Sequence, residues 1–196
     1  LLQKIGLLFF MPISFIGALW IIKVDNIIIA VLPFLGIFAL LIGGIFGLAA
    51  AKYFRLQRKD TGSMFTCGSF TNIGSIGALI CYLSLGEEGF ALVPIYKLFE
   101  QVVYYAIGFP IAKSFSNNIV KEENIIYQLK KVFTDIFVIV ALISIAIGAF
   151  LNLSGIERPA FYKTINAIFI PAGTVILLTS IGLAMKFGKV KNYIKE

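Results

Sequence analysis

Few side chains in this sequence could do covalent chemistry. There is no histidine, and the two cysteines, Cys67 and Cys81, fall 14 positions apart in one apolar stretch. On a helix that is roughly 21 Å, too far for a bridge within it. No zinc or haem site follows from such a set, and an integral-membrane enzyme would have to use lone Asp, Glu, Cys or Lys residues. An enzyme is therefore not expected. The polar residues that invite attention are those of binding. Between Gly62 and Gly77 an otherwise apolar segment holds Ser69, Thr71, Asn72 and Ser75 among Gly68, Gly74 and Gly77. Glycine costs about 1 kcal/mol per residue in a helix, and a mid-membrane amide is unsatisfied unless a partner is near. Both suit an interrupted helix whose freed backbone and side chains face a cavity, with half-helix N-termini offering positive charge to an anion. They also suit close helix packing, in which small residues and Ser/Thr hold membrane helices together.

Further on, Lys97 and Glu100 are the opposite charges set well inside an apolar span. Three apart, they share a helix face and can neutralise each other as an intramembrane ion pair. Alternatively Lys97 snorkels to the outer interface with Glu100 as its partner.

These residues need a scaffold, and composition says which kind. Of 196 residues, 59% are hydrophobic and 14% charged, with mean hydropathy +0.95, against about a quarter charged in soluble domains. That excess cannot be buried in a globule of this size, which indicates an integral membrane protein and excludes disordered and collagenous classes. Six apolar segments are long enough for a bilayer core of about 30 Å: 5–22, 27–51, 64–85, 89–112, 132–153 and 164–185. Interruptions by Gly and Pro, without period-2 alternation, favour helices over barrel strands. The expected fold is all-α, a single transmembrane unit over 1–196. No cleavable signal peptide is expected at Leu1-Leu2, and a missing N-terminal part is expected as readily as not.

The net charge of +7 reads as topology and lipid attraction, with no nucleic-acid partner. Thirteen of the 17 bases (Lys4; Lys52, Arg55, Arg58, Lys59; Lys113, Lys121, Lys130, Lys131; Lys186, Lys189, Lys191, Lys195) fall at one set of segment ends. The opposite ends hold Lys23, Arg158 and Lys163, and Glu87-Glu88 with no base beside them in sequence. The base-rich side is expected in the cytoplasm, loops 52–63 and 113–131 included. Asp135 suits a helix N-terminus; Trp20, Phe161 and Tyr162 suit interface anchors; Glu122-Glu123 suits a solvated loop. Phe10-Met11-Pro12 and Phe169-Ile170-Pro171 repeat a Phe-x-Pro pattern in segments of opposite direction, five apart, as an inverted repeat of five helices would give.

From Gly68 to Gly77 the sequence resembles the auxin efflux carrier family of membrane transporters, which is itself similar to the bile acid:sodium symporter fold. The family's fourth helix has an Asn followed two and five residues on by Gly, matched by Asn72, Gly74 and Gly77. A Gly-acid turn follows, here Gly86-Glu87-Glu88-Gly89, and the fifth-helix match runs through Gln101. Leu79 stands where the family has the proline of a broken crossover helix. Thr164–Met185, with Pro171 and Ser180-Ile181-Gly182, resembles the seventh helix. The resemblance covers helices two to seven of ten in a 5+5 inverted-repeat fold. It implies a secondary carrier of a small organic anion such as a carboxylate, with Ser69, Thr71, Asn72, Gly74, Ser75 and Gly77 as the substrate-binding group. It places segments one and six in a scaffold against which a transport domain moves. The alternative is a non-transporting sensor or scaffold protein on the same fold. No cofactor is expected; H⁺ or Na⁺ stays open as a coupling ion. Membrane lipid is a partner, a homodimer stays open, and the expected place is a plasma or inner membrane.

Overall fold

The computed structural model describes residues 1–22, 27–116 and 125–185, and all regular structure among them is helical. Five stretches are long and apolar enough to cross a membrane: Leu2–Leu19, Ile29–Tyr53, Arg58–Ser114, Ile136–Leu153 and Phe161–Ala184. Many of their large side chains point outward. Phe46 and Phe150 are each 69% exposed, the arrangement of a multi-pass membrane protein whose outer surface meets lipid.

The 57-residue stretch Arg58–Ser114 would be about 85 Å long if straight. It doubles back instead. Gly86 takes φ 67°, ψ −154°, a backbone shape that L side chains rarely adopt, with no atom crowding it. Cross-arm contacts show the reversal: Arg58 Nη2 donates to Ser114 O at 2.7 Å, Phe70 packs on Gly108, and the Lys97 ammonium lies against Gly74. The arms are therefore antiparallel, with their tip at Gly86-Glu87.

Numbered in chain order, α1 is Leu2–Leu19, α2 Ile27–Tyr53, α3 Arg58–Ser69, α4 residues 73–85, α5 residues 87–96 and α6 residues 100–114. Then come α7 Ile125–Thr134, α8 Ile136–Leu153 and α9 Phe161–Ala184. Antiparallel α1 and α9 meet along Gly6/Leu177, Phe10/Gly173 and Ile13/Tyr162. The two Phe-x-Pro motifs thus face each other, with the rings of Phe10 and Phe169 5.0 Å apart. Helices α1 and α8 run parallel, Ile16 beside Gly148 and Leu19 near Asn152. The bases at 52–59 and 113 gather at one end, here the basic end. Trp20, Glu87 and Arg158 mark the far end.

Several expected boundaries shift, each for a physical reason. The first segment, expected over 5–22, stops at Leu19, where Asn152 Nδ2 caps the freed carbonyls of Leu19, Trp20 and Ile22 at 3.1, 2.9 and 2.7 Å. The segments expected over 64–85 and 89–112 begin earlier, at Arg58, and end later, at Ser114, because polar turns extend the helices past the apolar slab. They are also broken at residues 70–72 and 97–99. The segment expected over 132–153 is two helices. Asp135 accepts from Phe137 N at 2.8 Å and starts α8, while α7, read from sequence as part of a loop, lies before it. Helix α2 runs two residues past 51, and α9 spans 161–184, not 164–185. Lys23, Lys121, Glu122-Glu123 and the bases from Lys186 onward lie outside the described residues.

Three single π turns interrupt the helices, at Gly6–Phe10, Ile73–Gly77 and Tyr104–Gly108. Two residues after the first and third come Pro12 and Pro110. A proline ring collides with the carbonyl four residues back, and a widened turn makes room for it. Leu79 stands in the same relation to the second. There the turn has another cause: the amides of Ile76 and Gly77 both reach back to Asn72 O, at 3.2 and 3.4 Å.

Helices α2 and α3 approach backbone to backbone, Gly43 against Gly68 and Gly47 against Met64. A methyl group on Gly43 would collide with the Gly68 carbonyl, which cannot swing aside as a side chain could. Gly43→Ala is expected to lower stability by about 1–3 kcal/mol, read as thermal unfolding in detergent. Gly182→Ala, with no atom within 4 Å of its added carbon, should be neutral or slightly stabilising.

Candidate functional site

The candidate site begins where α3 ends. Phe70 is extended (φ −86°, ψ 128°), Asn72 lies outside helical geometry (φ −108°, ψ 41°), and α4 starts only at Ile73. The interruption expected between Gly62 and Gly77 is present at residues 70–72, ahead of Gly74 and Gly77. In a membrane slab a strand of backbone without its ladder is costly. Here it is met by a second break in the opposite arm, at residues 97–99, between α5 and α6. Lys97 is ten residues from the tip at Glu87, about 15 Å at the helical rise, or half of a core about 30 Å thick. The two interruptions lie side by side on the hairpin, Lys97 against Gly74.

Side chains of the second break satisfy the first. Thr71 N donates to the Tyr104 hydroxyl at 2.8 Å. That hydroxyl donates to Glu100 Oε1 at 2.8 Å, and Thr71 Oγ1 donates to the same oxygen at 3.0 Å. The other oxygen, Glu100 Oε2, pairs with Lys97 Nζ at 2.8 Å. Glu100, 6% exposed, is the buried carboxylate among the described residues, and both its oxygens are engaged. A buried charge persists only when paired and hydrogen-bonded in this way. The expected Lys97–Glu100 pair is thus formed, but across a turn and not along one helix face. The Lys97 ammonium lies beside Gly74, on the other arm.

A cavity of about 320 Å³ opens beside these breaks. Thr71, Asn72, Gly74, Ser75, Lys97 and Glu100 line one wall, and apolar residues of α1, α8 and α9 the others. Its lining runs from mid-depth toward the basic end, from Phe15 to Gln3 on α1 and from Ile145 to Phe137 on α8. Of the expected binding residues, two stand apart. Ser69 is buried against Gly44 of α2, and Gly77 packs on its own Ile73. Asn72 Oδ1 accepts from Ser75 Oγ. The Asn72 NH₂ group has no protein partner among the described residues, and the side chain is exposed to the cavity. The first amides of α4, which no preceding turn can satisfy, begin at the same place.

The wall therefore presents hydrogen-bond donors: an amide NH₂, helix-start amides and the 28%-exposed Lys97. Such a surface suits a small acceptor-rich ligand, an anion above all. No cluster of three His, Cys, Asp or Glu able to hold a metal occurs among the described residues.

Tyr104 was not singled out by sequence. Its signal was its position one turn after Glu100, where a phenol can reach the same carboxylate. Glu87 also gains a partner that sequence proximity could not show, Arg158 from the loop before α9. Trp20 and Tyr162, expected as interface anchors, hydrogen-bond to Ile156 O at 2.7 Å and Ile13 O at 3.0 Å. No protein-family model, curated protein or solved structure matches this chain.

Removing one member of the ion pair leaves the other charge in an apolar setting. Lys97→Met is expected to destabilise the protein by about 3 kcal/mol, whereas Lys97→Met with Glu100→Gln should recover most of the loss. A double-mutant cycle of unfolding in detergent measures the coupling. Additive losses would mean that the pair is not coupled.

Proposed function

We propose that this chain belongs to a secondary carrier of a small organic anion such as a carboxylate. One observation carries the reading: two chain breaks face each other at mid-depth across a cavity whose wall has uncommitted hydrogen-bond donors. Discontinuous helices that meet a cavity at the midplane are how carriers hold charged substrates without exposing backbone to lipid. The anion would lie against Asn72 and the first amides of α4, with Thr71, Gly74 and Ser75 shaping the wall. In this reading the chain crosses the membrane six times, since the arms of 58–114 count separately, and the basic end is cytoplasmic.

The antiparallel apposition of the two Phe-x-Pro motifs supports an inverted repeat of five helices, and with it the resemblance to the auxin efflux carriers. Helices α1 and α9 would then belong to the scaffold. A coupling ion, H⁺ or Na⁺, is compatible with the reading. The alternative, a non-transporting sensor on the same fold, draws on Leu79: the helix continues from Ala78 without the proline of a crossover.

Uptake of radiolabelled succinate and acetate by proteoliposomes containing the full protein separates the two. Carrier function gives saturable uptake of one of them, and a sensor gives binding without uptake. Asn72→Ala should weaken transport or binding by about 1–3 kcal/mol, the range for a hydrogen bond to a charged group. Asn72→Asp should be worse, because a fixed negative charge repels the anion. The comparison is made at equal folded protein. Parent-like behaviour of both variants would place the anion elsewhere.

A further inference from the structure

We infer that Glu87 and Arg158 form a gate at the far end, closed in this structure, that must part before the cavity can open there. The inference rests on the carrier reading above. Glu87 sits at the tip between α4 and α5, on the hairpin that bears both chain breaks. Arg158 belongs to the loop between α8 and α9. Their side chains pair at 13% and 11% exposure, so the contact is largely out of water. Arg158 Nη1 also donates to Gly17 O of α1 at 2.9 Å, and Asn166 Nδ2 of α9 donates to Glu87 Oε2 at 3.2 Å. One carboxylate thus ties the hairpin tip to α1, α9 and the loop between α8 and α9. Glu88, next to it, is exposed and takes no part.

Beneath this contact lies an apolar layer. Phe90 is fully buried, its ring 5.4 Å from Phe15 and 6.5 Å from Tyr82. Phe15 is also where the cavity ends. From the far end inward the order is therefore ion pair, aromatic layer, cavity, and the cavity's lining then continues only toward the basic end. A route to the far end must pass between the hairpin tip and α1, and that separates Glu87 from Arg158.

The contact is built to have a second state. Asn166 Oδ1, in a fully buried residue, is the orphan polar side-chain atom among those described. Its amide shares the carboxylate oxygen that Arg158 holds. When Glu87 withdraws, the guanidinium keeps an acceptor in Gly17 O, at 2.9 Å, so parting does not leave it without any partner.

The test is accessibility. In a background with Cys67→Ala and Cys81→Ala, Ile145→Cys on the cavity wall is exposed to a charged, membrane-impermeant maleimide. Vesicles presenting either the basic or the far end are labelled separately. The expected result is labelling from the basic end and slow labelling from the far end. Glu87→Gln or Arg158→Met should raise the far-end rate by about tenfold or more, as a shift of that size in a two-state population gives. Glu87→Arg with Arg158→Glu should return it toward the parent value, and Glu88→Gln should change nothing. A cysteine at the fully buried Ala18 must stay unreactive in the same variants. If it reacts, the pair is a packing element and the gate is overturned. Far-end rates equal to the parent's would overturn the gate and leave the carrier reading standing. No labelling of the parent from either end would remove the water-filled cavity, and both readings with it.

Discussion

A backbone that leaves its helix inside an apolar slab must find other partners for its amide groups, and the rest of this structure follows from how that need is met. At Phe70–Asn72 the helical ladder is gone. The neighbouring arm supplies what is missing, through Tyr104 and Glu100. Glu100 can serve only as a carboxylate held in place, and in a buried setting that requires a cation. Lys97 supplies it. The arm can place Lys97 and Glu100 on either side of a turn because it is itself broken at the same level. Each interruption is the condition of the other.

The hairpin geometry is what makes the two breaks meet. Gly86 reverses the chain midway between them, so residues near 71 and 100 fall opposite each other as a matter of register. The close backbone contact of Gly43 with Gly68 then fixes the first arm against α2, and α1 with α9 closes the other side of the cavity. The cavity's lining continues toward the basic end, and its wall at the chain breaks offers hydrogen-bond donors. Such a wall favours a ligand of negative charge.

Much of this was legible in the residues themselves. Apolar runs of membrane length gave the helices, because nothing else satisfies a backbone in lipid. Asn72 among glycines marked the interruption, and Lys97 with Glu100 marked the buried charges. What sequence could not show was that these two features are one site. That depends on the reversal at Gly86 and on register between arms, and both are properties of the folded chain. The same limit hid Tyr104, and it hid the partner of Glu87, which comes from 71 positions away. Ser69 and Gly77 show the converse error. They share the composition of the interruption but are turned by the helix toward α2 and toward Ile73. Helix α7 was missed because its ten residues are too few to span a membrane and too polar on one side to read as core.

The central claim is that an interrupted helix at 70–72 faces a wet cavity. Replacing each residue from Ser69 to Leu79 in turn by cysteine, and measuring its rate with a small charged thiol reagent, tests it most directly. The account predicts fast reaction at Thr71, Asn72 and Gly74, with Ser69, Ser75 and Ala78 slow. Reaction at all three no faster than at Ser69 would show a dry segment packed among its neighbours and would contradict the account.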